Sequence, residues 1–214
     1  MDLRTCLQGG GKWGSPTLLV GDSLLKGVGF AGTKCCWPGA DLETVFNLAK
    51  MLTLPSTRSI IFHAGTNNVP RFKPFTRGQK LRGKDGTEQV TSLKRLTAKF
   101  SQLYQDFREF EEAAGKQPAD FHFSEILFRH CNAPILSSRS AKGPGTKLGR
   151  GQSVALGLNS FVAKLALQDE FLTVIPNPEF RNPSLFLKDG LHTSSRAGRI
   201  LEHKFDAIQS QYHG

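Results

Sequence analysis

No run in this chain approaches the eighteen or so uninterrupted apolar residues of a membrane-spanning helix, and residues 1–16, MDLRTCLQGGGKWGSP, hold no apolar signal-peptide core. The expected compartment is the cytoplasm, with the nucleus as an additional one. Cysteine is scarce, at four residues: Cys35 and Cys36 are neighbours on an expected strand and point to opposite faces, while Cys6 and Cys131 stand alone without metal-type spacing. Neither a disulfide framework nor a zinc site is expected. No internal repeat is found. Acid is in short supply: 18 Asp and Glu face 28 Lys and Arg, a formal charge of +10 that favours anionic partners such as nucleic acid or acidic lipid surfaces without specifying which. What is there suits one soluble domain: 214 residues, 38% hydrophobic and 21% charged, enough to bury a sizeable core.

Residues 1–16, with Gly9, Gly10, Gly11 and Gly14, read as a flexible leader or linker, and 17–214 as one domain. TLLV (17–20), TKCCW (33–37), SIIFH (59–63), FHFSEIL (121–127) and FLTVI (171–175) read as short strands flanked by turn residues. Several lack clean alternation, as expected when both faces are covered. Helical periodicity joins Leu93, Leu96, Phe100, Leu103, Phe107 and Phe110, then Val154, Leu158, Phe161 and Leu165, then Leu201, Phe205, Ile208 and Tyr212. The spacing of Phe100, Phe107 and Phe110 marks a core face rather than a base-stacking platform. The alternation implies an α/β, doubly wound, flavodoxin-like five-stranded parallel sheet flanked by helices. In order 2-1-3-4-5, the loops after the first three strands become neighbours at the carboxyl ends, where such sheets bind ligands.

Those loops hold GDS (21–23), PGADL (38–42) and GTNN (65–68). Ser23 lies in the turn out of the first strand, its N–H near a helix amino end that favours developing negative charge. Gly39 lacks a side chain, so its N–H can approach an acyl oxygen closely. The Asn67 amide follows the third strand and can donate to the same oxygen. For a base, KDGLHTSS (188–195) places Asp189 three residues before His192 in a turn, where the carboxylate can reach the ring and fix its tautomer. His63 and His122 fall on strands, and His130, His203 and His213 have no nearby acid in a turn. Structural alternatives stand beside each reading: Ser23 as a helix cap, Gly39 and Asn67 as turn residues, Asp189 with Gly190 as a type I′ turn. Asp22 reads as a structural hydrogen-bonder, and Asn159 as a structural or capping residue.

In this order and spacing the residues resemble the SGNH hydrolases, a branch of the GDSL esterases. The blocks are GDSL at 21–24, Gly39 in WPGADLETV, Asn67 in HAGTNN and DGLH at 189–192. The resemblance spans 17–212, and the phrases TLLVGDSLLKGV, IIFHAGTNN, FHFSEIL, LNSFVAKLA and DGLHTSSRAGR look most like the esterase domains of LINE-type non-LTR retrotransposons. It implies an SGNH fold and a serine esterase acting on acyl or lipid esters through a covalent acyl-enzyme. Ser23 would be the nucleophile, His192 the base and Asp189 its orienting acid. The N–H groups of Ser23 and Gly39 and the Asn67 amide would form the oxyanion hole, with no cofactor and no metal. The third block departs from the usual Gly-Thr-Asn-Asp: Asn68 replaces the acid, which puts the support of that loop in question.

Two loops carry much of the positive charge. Residues 71–87 hold six Lys or Arg and one acid directly after the oxyanion loop, and 138–151, basic and glycine-rich, hold four and no acid. Either they are solvated loops, or they recruit the protein to an anionic membrane or to RNA. A non-catalytic binding module on the same fold is the alternative to the esterase.

Overall fold

The computed structural model describes residues 14–69, 85–127, 150–187 and 192–212. Five strands, β1 (Thr17–Asp22), β2 (Thr33–Trp37), β3 (Ser59–His63), β4 (Asp120–Ser124) and β5 (Leu172–Ile175), form one sheet in the order β2-β1-β3-β4-β5. Every pairing is parallel, with Gly21 opposite both Cys36 and His63. The helices are α1 (Leu42–Leu52), α2 (Asp85–Ala113), α3 (Arg150–Ala166) and α4 (Ser195–Gln209).

The strands are apolar on both faces because both are covered. Leu18, Val20, Cys35, Ile60, Phe62, Phe121 and Phe123 face α1, α2 and α3, and meet Phe46, Phe100, Phe107 and Leu158. Phe46 is central there, its ring 4.5 Å from Phe62 and 5.7 Å from Phe121. Leu19, Cys36, Ile61 and Ile175 face the other way, against Leu201 and Phe205 of α4 with Leu25, Phe180 and Leu185. Burial of each such ring or aliphatic chain contributes about 2–3 kcal/mol. Cys35 and Cys36 are buried on opposite faces and form no disulfide, whereas Cys6 and Cys131 lie outside the described residues.

Several boundaries differ from expectation. Pro16 belongs to the fold: its carbonyl accepts from Arg58 N at 2.7 Å and Ser59 N at 3.0 Å. β1 leads into a short 3₁₀ helix, Ser23–Gly27, and not an α-helix. Its cap is Asp22, whose carboxylate accepts from Leu24 N at 3.0 Å, so Ser23 is the first helical residue and not the cap. Residues 85–87, read as loop, begin α2, and 150–151 begin α3. β4 stops at Ser124. Beyond it Asn159, buried on α3, clamps the backbone of Ile126, accepting from its N–H at 2.9 Å and donating to its carbonyl at 3.2 Å.

α1 was not anticipated. Asp41 caps it, accepting from Thr44 N at 3.0 Å and Thr44 Oγ1 at 2.8 Å, and Leu42, Val45, Phe46, Ala49 and Leu52 form its buried face. Thus Leu42, read as the end of a loop, is a helical residue pinned beside the site.

Candidate active site

Gly21 lets the first strand end close against the third: a Cβ there would lie 2.4 Å from the His63 carbonyl oxygen and 2.5 Å from Leu25 Cδ1. Two residues on, Ser23 is half-buried at the amino end of the 3₁₀ turn, where the first amides have no intrahelical acceptor. Leu24 and Leu25 bury behind it and fix the turn to the sheet.

After β2 the chain reverses at Gly39, with Ala40 N donating to Trp37 O at 3.1 Å. Gly39 is exposed, and its φ of +74° requires glycine for conformation, because nothing lies within 4 Å of an added Cβ. After β3, Gly65 O accepts from Asn68 N at 3.0 Å and Val69 N at 3.2 Å, closing the turn that presents Asn67.

Side chains join these two loops. Asn67 Nδ2 donates to Ala40 O at 2.8 Å, and Asn68 Oδ1 accepts from Leu42 N at 2.8 Å. Asn67 therefore donates its amide to the backbone next to Gly39. The third loop has its support after all: Asn68 accepts as a carboxylate there would, and its amide also donates to Asp41. Sequence reasoning missed this, because the bonds join residues far apart in the chain.

His192 is exposed, in a segment held by backbone contacts to residues 185–187. Phe186 bridges Thr193 in antiparallel fashion, Leu187 N donates to His192 O at 2.7 Å, and Ser194 N donates to Leu185 O at 2.8 Å. Asp189 lies outside the described residues. Ser194 caps α4, accepting from Ala197 N at 3.3 Å. Gly198 in the next turn packs so closely on the 3₁₀ helix that a Cβ would sit 3.1 Å from Gly27 O. The element that follows His192 is thus packed on the element that begins with Ser23. Ser23, Gly39 and Asn67 share the carboxyl end of the sheet, the last two joined by the Ala40 contact. Two cavities of about 540 and 460 Å³ open elsewhere: one between β5 and α4 is lined by His122, Thr173 and Ile208, the other by Arg108, Asp169 and Phe171.

The strand histidines are structural. His63 Nδ1 pairs with Ser124 Oγ at 2.9 Å, Ser124 Oγ accepts from Asn177 Nδ2 at 3.0 Å, and complete burial pushes the His63 pKa down to about 4. His122, lowered by burial, sits between Thr173 Oγ1 at 2.6 Å and Tyr212 OH at 3.3 Å. Both hold their neutral forms in the fold, so the unfolded chain takes up protons first as pH falls. For His63 the expected result is stability that declines from about pH 6.5 to about 4 and is flat below, a loss on the order of 3 kcal/mol. Urea midpoints across that window check it: His63→Gln has the shallower slope, the remainder coming from His122 and from the depressed carboxyls of Asp41 and Glu179. Equal slopes in variant and parent contradict it.

Among the described residues no group of three or more His, Cys, Asp or Glu could hold a metal ion, and no helix is long and apolar enough to cross a membrane. The basic segments 70–84 and 128–149, with His130 and His213, lie outside the described residues.

Neither a protein-family model nor a curated protein sequence matches this chain. Solved structures do. A protein of the G-D-S-L lipolytic family from Desulfitobacterium hafniense DCB-2 superposes with a TM-score of 0.53 at 10% identity, over 90% of this chain and 98% of that one. TesA gives 0.51 at 12%, over 89% and 96%. Phospholipase A1 from Streptomyces albidoflavus NA297 gives 0.51 at 14%, over 89% and 98%. At such identities the likeness is one of fold. The chain has the α/β fold of the GDSL/SGNH-type lipolytic hydrolases, a five-stranded parallel sheet with flanking helices.

Proposed function

We propose that this chain is a serine ester hydrolase acting on acyl or lipid esters. The observation that carries the reading is the Asn67–Ala40 hydrogen bond of 2.8 Å, which fixes an amide donor beside the Gly39 turn at the strand ends from which Ser23 emerges. Three donors would then converge on one oxygen: the Ser23 and Gly39 N–H groups and the Asn67 amide. In the first step Ser23 Oγ forms a bond to the ester carbonyl carbon, and its proton passes to His192. The carbonyl π electrons move onto the oxygen held by those donors. Collapse expels the alcohol, which takes the proton from His192, and leaves an acyl group on Ser23. Water, deprotonated by His192, then attacks the acyl carbon, and the acid leaves as Ser23 recovers its proton. Asp189 holds the imidazole in the required tautomer and stabilises its cation.

The lipolytic names of the structural neighbours support an ester substrate. The resemblance of phrases such as TLLVGDSLLKGV and DGLHTSSRAGR to LINE-type esterase domains is what supports a retrotransposon-encoded origin. The net charge of +10 supports recruitment to an anionic surface, membrane or RNA, as an added property of an enzyme. The test is hydrolysis of short-chain aryl esters by the parent, Asp189→Asn and His192→Ala. The parent turns over, and Asp189→Asn keeps more residual activity than His192→Ala, because the acid acts only through the base. The reverse order would move the base elsewhere; no turnover by the parent would sink the reading.

A further inference from the structure

We infer that Asn68 is a positioning residue of this site, acting with Asp41 as an amide–carboxylate pair that sets the backbone of the Gly39 turn. This rests on the ester-hydrolase reading and adds to it a residue that touches no substrate. The turn from Gly39 to Leu42 is held at both ends by adjacent side chains of the third loop: Asn67 Nδ2 on Ala40 O and Asn68 Oδ1 on Leu42 N, each at 2.8 Å. Between those contacts stands Asp41, which caps α1 through Thr44 and receives the Asn68 amide. Lys99, on α2, lies 3.8 Å from the Asp41 carboxylate and 2.7 Å from Glu43. Burial works to raise the Asp41 pKa, but the Thr44 backbone and hydroxyl bonds, Lys99 and the Asn68 amide together hold it below the usual carboxylate range. Asp41 is therefore charged at neutral pH, and the Asn68 amide is one of the donors that favour this state. Asn supplies that donor to Asp41 and an acceptor to Leu42 at once; a carboxylate could supply only the acceptor.

The consequence is a pairing rule. With Asp at 41, residue 68 must carry an amide; with an amide at 41, an acid at 68 serves equally well, because Asn also caps helices. The experiment measures turnover per serine, counted by labelling with an organophosphonate, so that misfolded molecules do not enter the rate. Asn68→Ala lowers kcat by about ten- to a hundredfold with KM within about twofold, as expected when a donor shifts by part of an ångström. Asn68→Asp sets two carboxylates side by side near Lys99 and Glu43. Its kcat, as a ratio to the parent, falls as pH rises from 5 to 8, because the pair can share a proton only at the acid end. Asp41→Asn combined with Asn68→Asp transposes the pair and returns kcat to within about threefold of the parent, with a flat ratio. A role in stability alone would move the labelled fraction and not turnover per label. Asn68→Ala within about twofold of the parent overturns the proposal. Should that variant not fold, a transposed pair no better than Asn68→Asp overturns it. In both cases a parent that labels and turns over leaves the ester-hydrolase reading standing, whereas a parent that does neither removes both.

Discussion

Ser23→Ala leaves the circular dichroism spectrum unchanged and lowers turnover of a short-chain aryl ester by about a thousandfold or more. The fold survives because the local hydrogen bond is not Ser23's: Asp22 caps the 3₁₀ turn through Leu24 N, and Leu24 and Leu25 anchor it. Alanine is also an acceptable first residue of a helix. Activity is lost because nucleophile, base and oxyanion donors act as a unit, so removing one removes nearly the whole advantage. Both measurements belong on one sample. Activity above a tenth of the parent, with the spectrum intact, contradicts the assignment of the nucleophile.

Asn67→Ala lowers kcat by about a hundred- to a thousandfold and changes KM little, since an oxyanion donor is used mostly in the transition state. Two things go at once here: the donor itself and the 2.8 Å tether to Ala40 O that steadies the Gly39 turn. The loss is therefore expected at the larger end of that range. Asn67→Asp sharpens the test, as the carboxylate keeps the shape but has no hydrogen for Ala40 and sets a charge beside the developing oxyanion. Steady-state kinetics on both variants check it. An effect confined to KM would make Asn67 a ground-state contact and nothing more.

The strands and their order were legible because aliphatic runs such as LLV and SIIF are bounded by Gly, Pro and Ser, and because residues like Leu18 and Leu19 are both apolar only when both faces are covered. α1 was legible too and was missed: Asp41 with Thr44 three residues on, followed by Leu42, Val45, Phe46, Ala49 and Leu52, is a capped amphipathic helix hidden behind a glycine turn. The 3₁₀ geometry after β1 was not legible. Nor was the close approach of Gly198 of α4 to the Gly27 carbonyl, since the two residues lie far apart in the chain. At the site, the residue types pointed to Ser23, Gly39, Asn67 and His192, since each follows a strand or precedes a helix at the same end of the sheet. What types and spacing do not carry is which side chain holds which loop. The Asn67–Ala40 and Asn68–Leu42 bonds exist only once β2 and β3 flank β1. Likewise the burial of His63 behind Ser124 and Asn177 comes from three different strand ends, and alternation along β3 alone does not reveal it.

The central claim is that Ser23 is an activated nucleophile. Incubating the purified protein with an organophosphonate that reacts only with activated serines, then locating the adduct by peptide mass spectrometry, addresses it directly. One adduct is expected, on the peptide containing Ser23, and it is abolished in His192→Ala. An unlabelled protein, or an adduct on another serine with Ser23 unmodified, would contradict it.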